Sequence, residues 1–382
     1  MKSNKIRLGE QCVVTSSKRF HLSERITQGV PFYCSKEIIK KFNGEDVTEC
    51  DYISEDLYKK VSNEVGVPKE NDLLITTRGT IGIPYLYKRT DRFYFADGNL
   101  TWIKDFDSNL YSKFLYYWFQ SYEGRKKFEA LAKGTAQKAV PISGIKTLEI
   151  ELPSLKSQKR IADILSAYDD LIENNQKQIK LLEEAAQRLY KEWFVDLRFP
   201  GHENTKIVDG VPKGWSRGLL KELISVNYGK DHKKAPDDGN IPVYGSGGLM
   251  RKCNKSLFSG EAVLIPRKGS LNNIMYVDET FWTVDTMFYA TMKQPHTAVF
   301  VYFFVKAFDM YSMNIGAAVP SMTTKILDAM DVVIPDKETL EKFDKREKVY
   351  FNKIKTLHGQ NERLKTARDL LLPKLMSGEV KV

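Results

Sequence analysis

Two stretches of this chain carry residues of one helical face at alternating spacings of four and three through more than four heptads. In the first, Ile161, Leu165, Tyr168, Ile172, Asn175, Ile179, Leu182, Ala186, Leu189 and Trp193 form the seam, with no Pro or Gly between Ser157 and Val195. Adding 182 gives the second, weaker at its ends but clear from Tyr350 to Leu371: Phe343, Glu347, Tyr350, Ile354, Leu357, Asn361, Leu364, Arg368, Leu371 and Leu375. So narrow a stripe has to be buried against another helix. Some 38 residues at 1.5 Å each make a rod of roughly 55 Å, too long to bury its seam on one small domain. The simplest partner for each seam is the other one.

The blocks ahead of the two helices repeat as well. A shift of 212 superposes Leu8 on Leu220, Glu10 on Glu222 and Lys18 on Lys230, and a shift of 211 sets Pro31-Phe32-Tyr33-Cys34-Ser35 on Pro242-Val243-Tyr244-Gly245-Ser246. Further on, Leu73-Leu74-Ile75-Thr76-Thr77-Arg78-Gly79-Thr80 matches Val263-Leu264-Ile265-Pro266-Arg267-Lys268-Gly269-Ser270 at a shift near 190. The first copy therefore holds roughly 20 extra residues between Lys36 and Lys69, a length change expected in surface loops. Gly134…Val140-Pro141 matches Gly316…Val319-Pro320, and both blocks close on an apolar run ending in Pro. Each match is short, but all of them fall in the same order. Leu73–Thr76, Phe93–Ala96, Val263–Ile265 and Asp331–Ile334 read as strands, being short, β-branched or aromatic, and bounded by Gly, Pro or Asp. Residues 111–119 and 298–308 read as helices buried against the sheets.

The seam also contains polar residues, and these bear on orientation. Pairing the helices antiparallel about their midpoints brings Asn175 and Asn361 to nearly the same level, whereas parallel pairing in repeat register sets Asn361 against Ile179. A buried Asn in such a seam costs stability and is kept for register. The expectation is an antiparallel pair with the two Asn side chains adjacent and a β-rich module at each end, related by a pseudo-twofold axis. That arrangement matches the approximate dyad of a DNA duplex. Gly359 should weaken the second helix locally by about 1 kcal/mol relative to Ala. Pro373 should kink or end it.

A surplus of 59 basic over 49 acidic residues, a net charge of +10, fits a polyanionic partner, most simply nucleic acid. The four cysteines are scattered, none in a CxxC pair, and only five His accompany them, which disfavours a zinc site or a disulfide framework. The N-terminus has no apolar signal region and no window reaches 18 uncharged apolar residues, so a cytoplasmic chain without a membrane span is expected. No P-loop, no HExxH and no Asn/Asp-Pro-Pro-aromatic tetrapeptide of the amino-methyltransferases occurs. Gly245-Ser246-Gly247-Gly248 reads as a tight turn. Asp97 and Asp285 align across the repeat without a supporting His, Glu or Lys constellation, and structural hydrogen bonding is the expectation.

The chain resembles the specificity subunit of type I restriction-modification enzymes over nearly its whole length. Gln158-Lys159-Arg160-Ile161-Ala162 and Leu189-Tyr190-Lys191-Glu192-Trp193-Phe194-Val195-Asp196 carry the resemblance around the first helix. Pro212-Lys213-Gly214-Trp215 and Ile241-Pro242-Val243-Tyr244-Gly245-Ser246-Gly247-Gly248 carry it in the second block, and Leu371-Leu372-Pro373-Lys374-Leu375-Met376-Ser377-Gly378-Glu379 at the C-terminus.

The resemblance implies an α+β fold with a target recognition domain at 1–152, a central spacer helix at 153–198, a second recognition domain at 199–334 and a C-terminal spacer helix at 335–382. Each recognition domain would read one half of a bipartite double-stranded DNA target. The helices would fix the spacing and dock two methyltransferase subunits, which the motor-nuclease subunits join. The chain itself would be non-catalytic and bind no cofactor, with S-adenosylmethionine, ATP and magnesium on the partner subunits. The second helix start, Pro335-Asp336-Lys337-Glu338, lacks the Gln-Lys-Arg of the first, which implies different contacts to one methyltransferase copy. The competing readings are a coiled-coil scaffold without specific DNA binding and a nuclease with an unrecognised site.

Candidate DNA contacts follow from residue chemistry. Arg78, Thr80, Arg267, Lys268 and Ser270 sit after equivalent strands, where a guanidinium meets phosphate or guanine and Gly lets the backbone approach. Lys18, Arg19 and His21, and Lys230, His232, Lys233 and Lys234, form basic loops at equivalent places. Thr135, Gln137 and Lys138 align loosely with Ser321, Thr323 and Lys325, and the mixture of amide, hydroxyl and amine groups points to base reading.

Overall fold

Both heptad stretches are helical, and each runs through two compact units of the chain. The structure, a computed structural model, describes residues 4–134, 138–313 and 321–382. One unit comprises Met1–Lys177 with Leu357–Val382, the other Gln178–Thr356.

In chain order the first unit holds β1 (Asn4–Arg7), β2 (Val13–Thr15), β3 (Val30–Tyr33), α1 (Ser35–Phe42), β4 (Asp51–Ile53), α2 (Glu55–Glu64), β5 (Leu73–Thr76), β6 (Pro84–Leu86), β7 (Tyr94–Phe95) and β8 (Leu100–Lys104). After these come α3 (Ser112–Gln120), α4 (Tyr122–Glu129), α5 (Ile142–Lys146), β9 (Glu149–Leu152) and the beginning of α6 (Leu155–Tyr190). The strands form a β2-β8-β5-β6 sheet, a β4-β3-β7 sheet and a β1-β9 pair. Phe114, Leu115 and Trp118 of α3 join Leu73, Ile75 and Ile103 of the larger sheet in one core.

The second unit contains the rest of α6, then β10 (Ile207–Val208), β11 (Val211–Pro212), β12 (Ser216–Leu219), β13 (Ile224–Tyr228), β14 (Ile241–Gly245), β15 (Gly248–Cys253), β16 (Phe258–Pro266), β17 (Met275–Thr283) and β18 (Met287–Met292). It closes with α7 (Ala298–Lys306), α8 (Thr324–Asp328), β19 (Asp331–Ile334) and the first part of α9 (Lys337–Met376). Six strands in the order β13-β18-β16-β17-β14-β15 make its main sheet. The apolar helix α7 lies in the core with Val263, Ile265 and Phe288.

The duplication is visible strand by strand. β1 pairs with β9 from Asn4↔Leu152, and β12 pairs with β19 from Ser216↔Ile334, the same antiparallel register at shifts of 212 and 182. Tyr33 O accepts from Ala96 N at 2.8 Å in one unit, and Tyr244 O from Val284 N at 3.0 Å in the other. One expectation is corrected. The extra residues of the first copy are not a plain surface loop but helices α1 and α2, which flank β4; β4 pairs antiparallel with β3 as β15 does with β14 in the second copy. Ile38 of α1, Ile53 of β4 and Val61 of α2 are fully buried and anchor these elements.

Ser154 starts α6 by accepting from Ser157 N at 3.2 Å. Asp336 starts α9 by accepting from Thr339 N at 2.9 Å while also holding the Trp215 indole N–H at 2.9 Å. Near its end α6 widens into a π turn at Lys191–Val195, and the chain turns away through Leu197 and Gly201, both at positive φ. Pro373 ends α9 only three residues further on, where Gly378, at φ +74°, closes it with Gly378 N donating to Leu375 O. Gly359 stays helical.

Within the first unit α6 and α9 run antiparallel. Asn175 Nδ2 donates to Asn361 Oδ1 at 2.8 Å, and Arg368 Nη1 to Asp169 Oδ1 at 2.5 Å. Leu372 and Leu375 share a core with Ile161 and Leu165. Asp169 also accepts from the Tyr117 hydroxyl at 2.6 Å, so the one seam arginine is tied to both its partner helix and the domain. In the second unit Phe343 lies 5.7 Å from the Trp193 ring and 4.7 Å from Phe194. Glu347 occupies the seam position equivalent to Leu165; it is fully buried, and among the described residues neither carboxylate oxygen has a hydrogen-bond partner.

Replacing either Asn175 or Asn361 alone by Leu strands the other amide in an apolar seam and should cost about 1–3 kcal/mol. The double Leu variant should recover most of that loss. Urea unfolding of the four proteins checks both outcomes, and additive losses would sink the coupling.

At Gln158 the difference between the two helix starts is internal. It is 1% exposed; its amide oxygen accepts from Tyr111 N at 2.9 Å and its amide nitrogen donates to Asn109 O and Pro153 O. Its repeat counterpart, Leu340, is equally buried. The expected difference in partner contacts therefore cannot come from Gln158, although Lys159 and Arg160 remain exposed.

Candidate nucleic-acid interface

In each unit the backbone clamps two candidate loops side by side. Val140 N donates to Thr77 O at 2.9 Å, and Arg78 bridges Ala139; in the other unit Met322 N donates to Arg267 O at 2.9 Å, and Lys268 bridges Ser321. The pairing fixes the repeat alignment residue by residue. Arg78-Gly79-Thr80 corresponds to Lys268-Gly269-Ser270, and Ala139 to Ser321. The looser alignment of Thr135, Gln137 and Lys138 with Ser321, Thr323 and Lys325 is corrected by about four positions. Gly79 and Gly269 both adopt positive φ, +74° and +87°, a conformation that L side chains rarely accept. That is why Gly recurs between the cation and the hydroxyl residue.

In the first unit Arg78, Thr80, Lys133 and Lys138 are exposed. Lys133 and Ala139 exchange backbone hydrogen bonds at 2.8 and 3.0 Å, closing the loop that carries Lys138. Thr135 and Gln137 lie outside the described residues. Ser16, Arg78, Asp97 and Lys133 line an open concavity of about 340 Å³. Arg19 reaches this site from the β2 loop. Its Nε donates to Asp97 Oδ2 at 3.0 Å, and Asp97 Oδ1 accepts from Ser16 Oγ at 2.8 Å. Lys18 instead donates to Glu64 at 2.5 Å, and its backbone N–H donates to the Tyr94 hydroxyl. His21 N donates to Glu24 across a short turn, leaving the exposed imidazole at the surface.

In the second unit Asp231 accepts from Lys233 N at 3.0 Å and folds His232–Lys234 into one turn. Lys230 is held by its backbone, through Thr283 O and the Trp282 indole N–H, so its amine stays exposed. Arg251 pins the loop from beneath, donating to Ala235 O at 2.7 Å and pairing with Asp237. His232, Ser246, Gly247 and Asp285 line a second concavity of about 380 Å³. Ser246 and Gly247 form the tight turn of the β14-β15 hairpin.

Arg267 is half-buried, its guanidinium 5.5 Å from the Tyr228 ring and donating to Asp285 O at 3.2 Å. Lys268 and Ser270 are exposed beside it. Thr323 is committed to capping α8, its hydroxyl accepting from Ile326 N at 3.4 Å, while Lys325 is exposed on that helix.

The sequence reading missed Lys133, Tyr228 and Arg251, along with the role of Ser16. The recurrence of Asp97 and Asp285 was a usable signal for one of these sites, whereas nothing in the sequence near Arg251 marks its job. Among the described residues, no group of three or more His, Cys, Asp or Glu is placed to hold a metal ion. No helix among them is long and apolar enough to cross a membrane.

Comparison with known proteins bears on the same architecture. The family described as "Type I restriction modification DNA specificity domain" matches residues 3–184 and 212–366. The type I restriction enzyme MjaIX specificity subunit of Methanocaldococcus jannaschii is 26% identical over 312 residues, covering 71% of this chain and 69% of its own. The HindI specificity subunit of Haemophilus influenzae is 24% identical, covering 70% and 77%. The crystal structure of the type I restriction-modification S subunit from M. genitalium superposes with a TM-score of 0.63 at 19% identity, covering 98% of this chain and 96% of that one. With both of its segments matched and both copies of the fold in place, the chain belongs to the type I restriction-modification DNA specificity family.

Proposed function

We propose that the chain is the DNA-recognition subunit of a type I restriction-modification complex and carries no catalytic centre of its own. Each β-rich unit reads one half of a bipartite double-stranded target. In functional terms the borders are a recognition domain at 1–152, a spacer helix at 153–198, a second recognition domain at 199–334 and a second spacer helix at 335–382. The helices set the half-site spacing and dock two methyltransferase subunits, which the motor-nuclease subunits join. S-adenosylmethionine, ATP and magnesium belong to those partners, and the complex works in the cytoplasm.

The observation that carries this reading is the doubled loop clamp. In both units one hydrogen bond and one bridge bring a cation-Gly-hydroxyl loop against a second polar loop. The scaffold is shared, while the loop content differs. Shared cations suit phosphate contacts that position the protein, and divergent neighbours suit different half-sites.

The test is the complex with methyltransferase subunits carrying Arg78→Ala or Lys268→Ala. Each should weaken binding about uniformly across DNA sequences and lower the salt slope by about 1. Arg267→Ala should weaken binding as well. Unchanged binding and methylation in all three would show that the loops are wrongly assigned.

A further inference from the structure

We propose that Arg19, oriented by Asp97, reads a guanine in the half-site served by the first unit. The inference rests on the recognition reading above and gives one residue a base rather than a phosphate.

Arg19 is 75% exposed, yet its Nε is held by a carboxylate only 22% exposed. Asp97 is fixed in turn by Ser16 on its other oxygen. The guanidinium is therefore anchored on its inner edge, and among the described residues its two Nη groups have no acceptor. An exposed ion pair contributes little to stability while freezing a long side chain. The second unit shows that the scaffold folds without this pair. Asp231 stands where Arg19 stands in the first copy, and it caps its own loop instead. The Arg19–Asp97 pair is thus a property of one recognition surface and not of the fold.

The chemistry selects the ligand. With Nε taken by Asp97, the two Nη groups remain as an outward fork that needs two adjacent acceptors. On the major-groove edge only guanine offers two acceptors, O6 and N7; adenine offers one acceptor beside a donor. Arg78 and Lys133 line the same concavity as Asp97 and supply the cations that would hold the flanking phosphates.

The experiment uses the full chain assembled with methyltransferase subunits, as wild type, Arg19→Lys and Asp97→Ala. Host DNA methylation is read by single-molecule sequencing, and binding is measured to duplexes in which each G·C pair of the site is replaced in turn. Arg19→Lys keeps the charge but loses the fork. It should cut discrimination at one G·C pair by roughly 10- to 100-fold and leave the other half-site intact. Asp97→Ala should relax the same position and no other, which a merely structural defect would not do. Unchanged discrimination in Arg19→Lys overturns the assignment, as does a loss spread evenly over all duplexes, the mark of a phosphate contact. A wild-type complex with no bipartite consensus overturns the recognition reading itself, a separable failure.

Discussion

Raising monovalent salt from about 50 to about 200 mM is expected to weaken DNA binding by the methyltransferase-bound chain by roughly a thousandfold, the loss that goes with about six phosphate contacts. Arg78, Lys133 and Lys138 in one unit and Lys230, Lys233, Lys234, Lys268 and Lys325 in the other are all exposed around the loop clamps. Each one that neutralises a phosphate releases a counterion, so log affinity falls linearly with log salt at about 0.9 per contact. Lys18, tied to Glu64, should add less. A shallow slope would mean that few of these cations meet phosphate, and would favour a scaffold without DNA affinity. The measurement is a binding isotherm at several salt concentrations, with Arg78→Ala and Lys268→Ala combined to lower the slope by about 2.

Glu347→Leu is expected to stabilise the second unit by about 3–5 kcal/mol at pH 8, since one tenfold change in proton affinity is worth 1.36 kcal/mol. Burial pushes the Glu347 carboxyl from 4.5 up to about 8. The folded state therefore favours the protonated acid. That favour is fully present below about pH 4.5 and is lost as pH rises towards 8. Wild-type stability should fall across this window, and the Leu variant should lack that fall. The repeat itself supplies the replacement, because Leu165 fills the equivalent site in the first unit without exposure. Apolar substitution of an uncompensated buried charge removes a desolvation penalty of this order. Thermal melts at pH 5, 6.5 and 8 decide the matter: parallel curves for both proteins would show that Glu347 finds a partner in solution.

What could be read from the chain was whatever depends on period and order. The four-three spacing from Ile161 to Trp193 specified the first long helix, and the Asn175 and Asn361 positions specified which way the second one lies. The strands around Leu73 and Val263 were legible because each is a short β-branched or aromatic run between turn residues. Residues 36–69 were not: apolar pairs such as Ile38 with Phe42 and Leu57 with Val61 mark two helices too short to stand out among the charges around them, although tertiary burial of Ile38, Ile53 and Val61 makes the segment part of the fold. The site was legible as residue types but not as geometry. Arg19 and Lys18 are neighbours of like charge in the sequence, yet one is aimed by Asp97 while the other is spent on Glu64. Backbone pairing moved the counterpart of Ser321 from Thr135 to Ala139, because hydrogen bonds record register where side chains have diverged.

The first unit is built from both ends of the chain, Met1–Lys177 and Leu357–Val382. A ribosome making 5–20 residues per second would need roughly 9–36 s to cover the 179 positions between Lys177 and Leu357. Throughout that interval the Ile161 and Leu165 side of α6 waits for Leu372 and Leu375, exposed to chaperones and to other nascent chains. The module translated first is completed last. A frameshift between Thr356 and Leu372 would therefore injure the unit that holds Met1–Lys177, while the second unit, contiguous from Gln178 to Thr356, would already be whole.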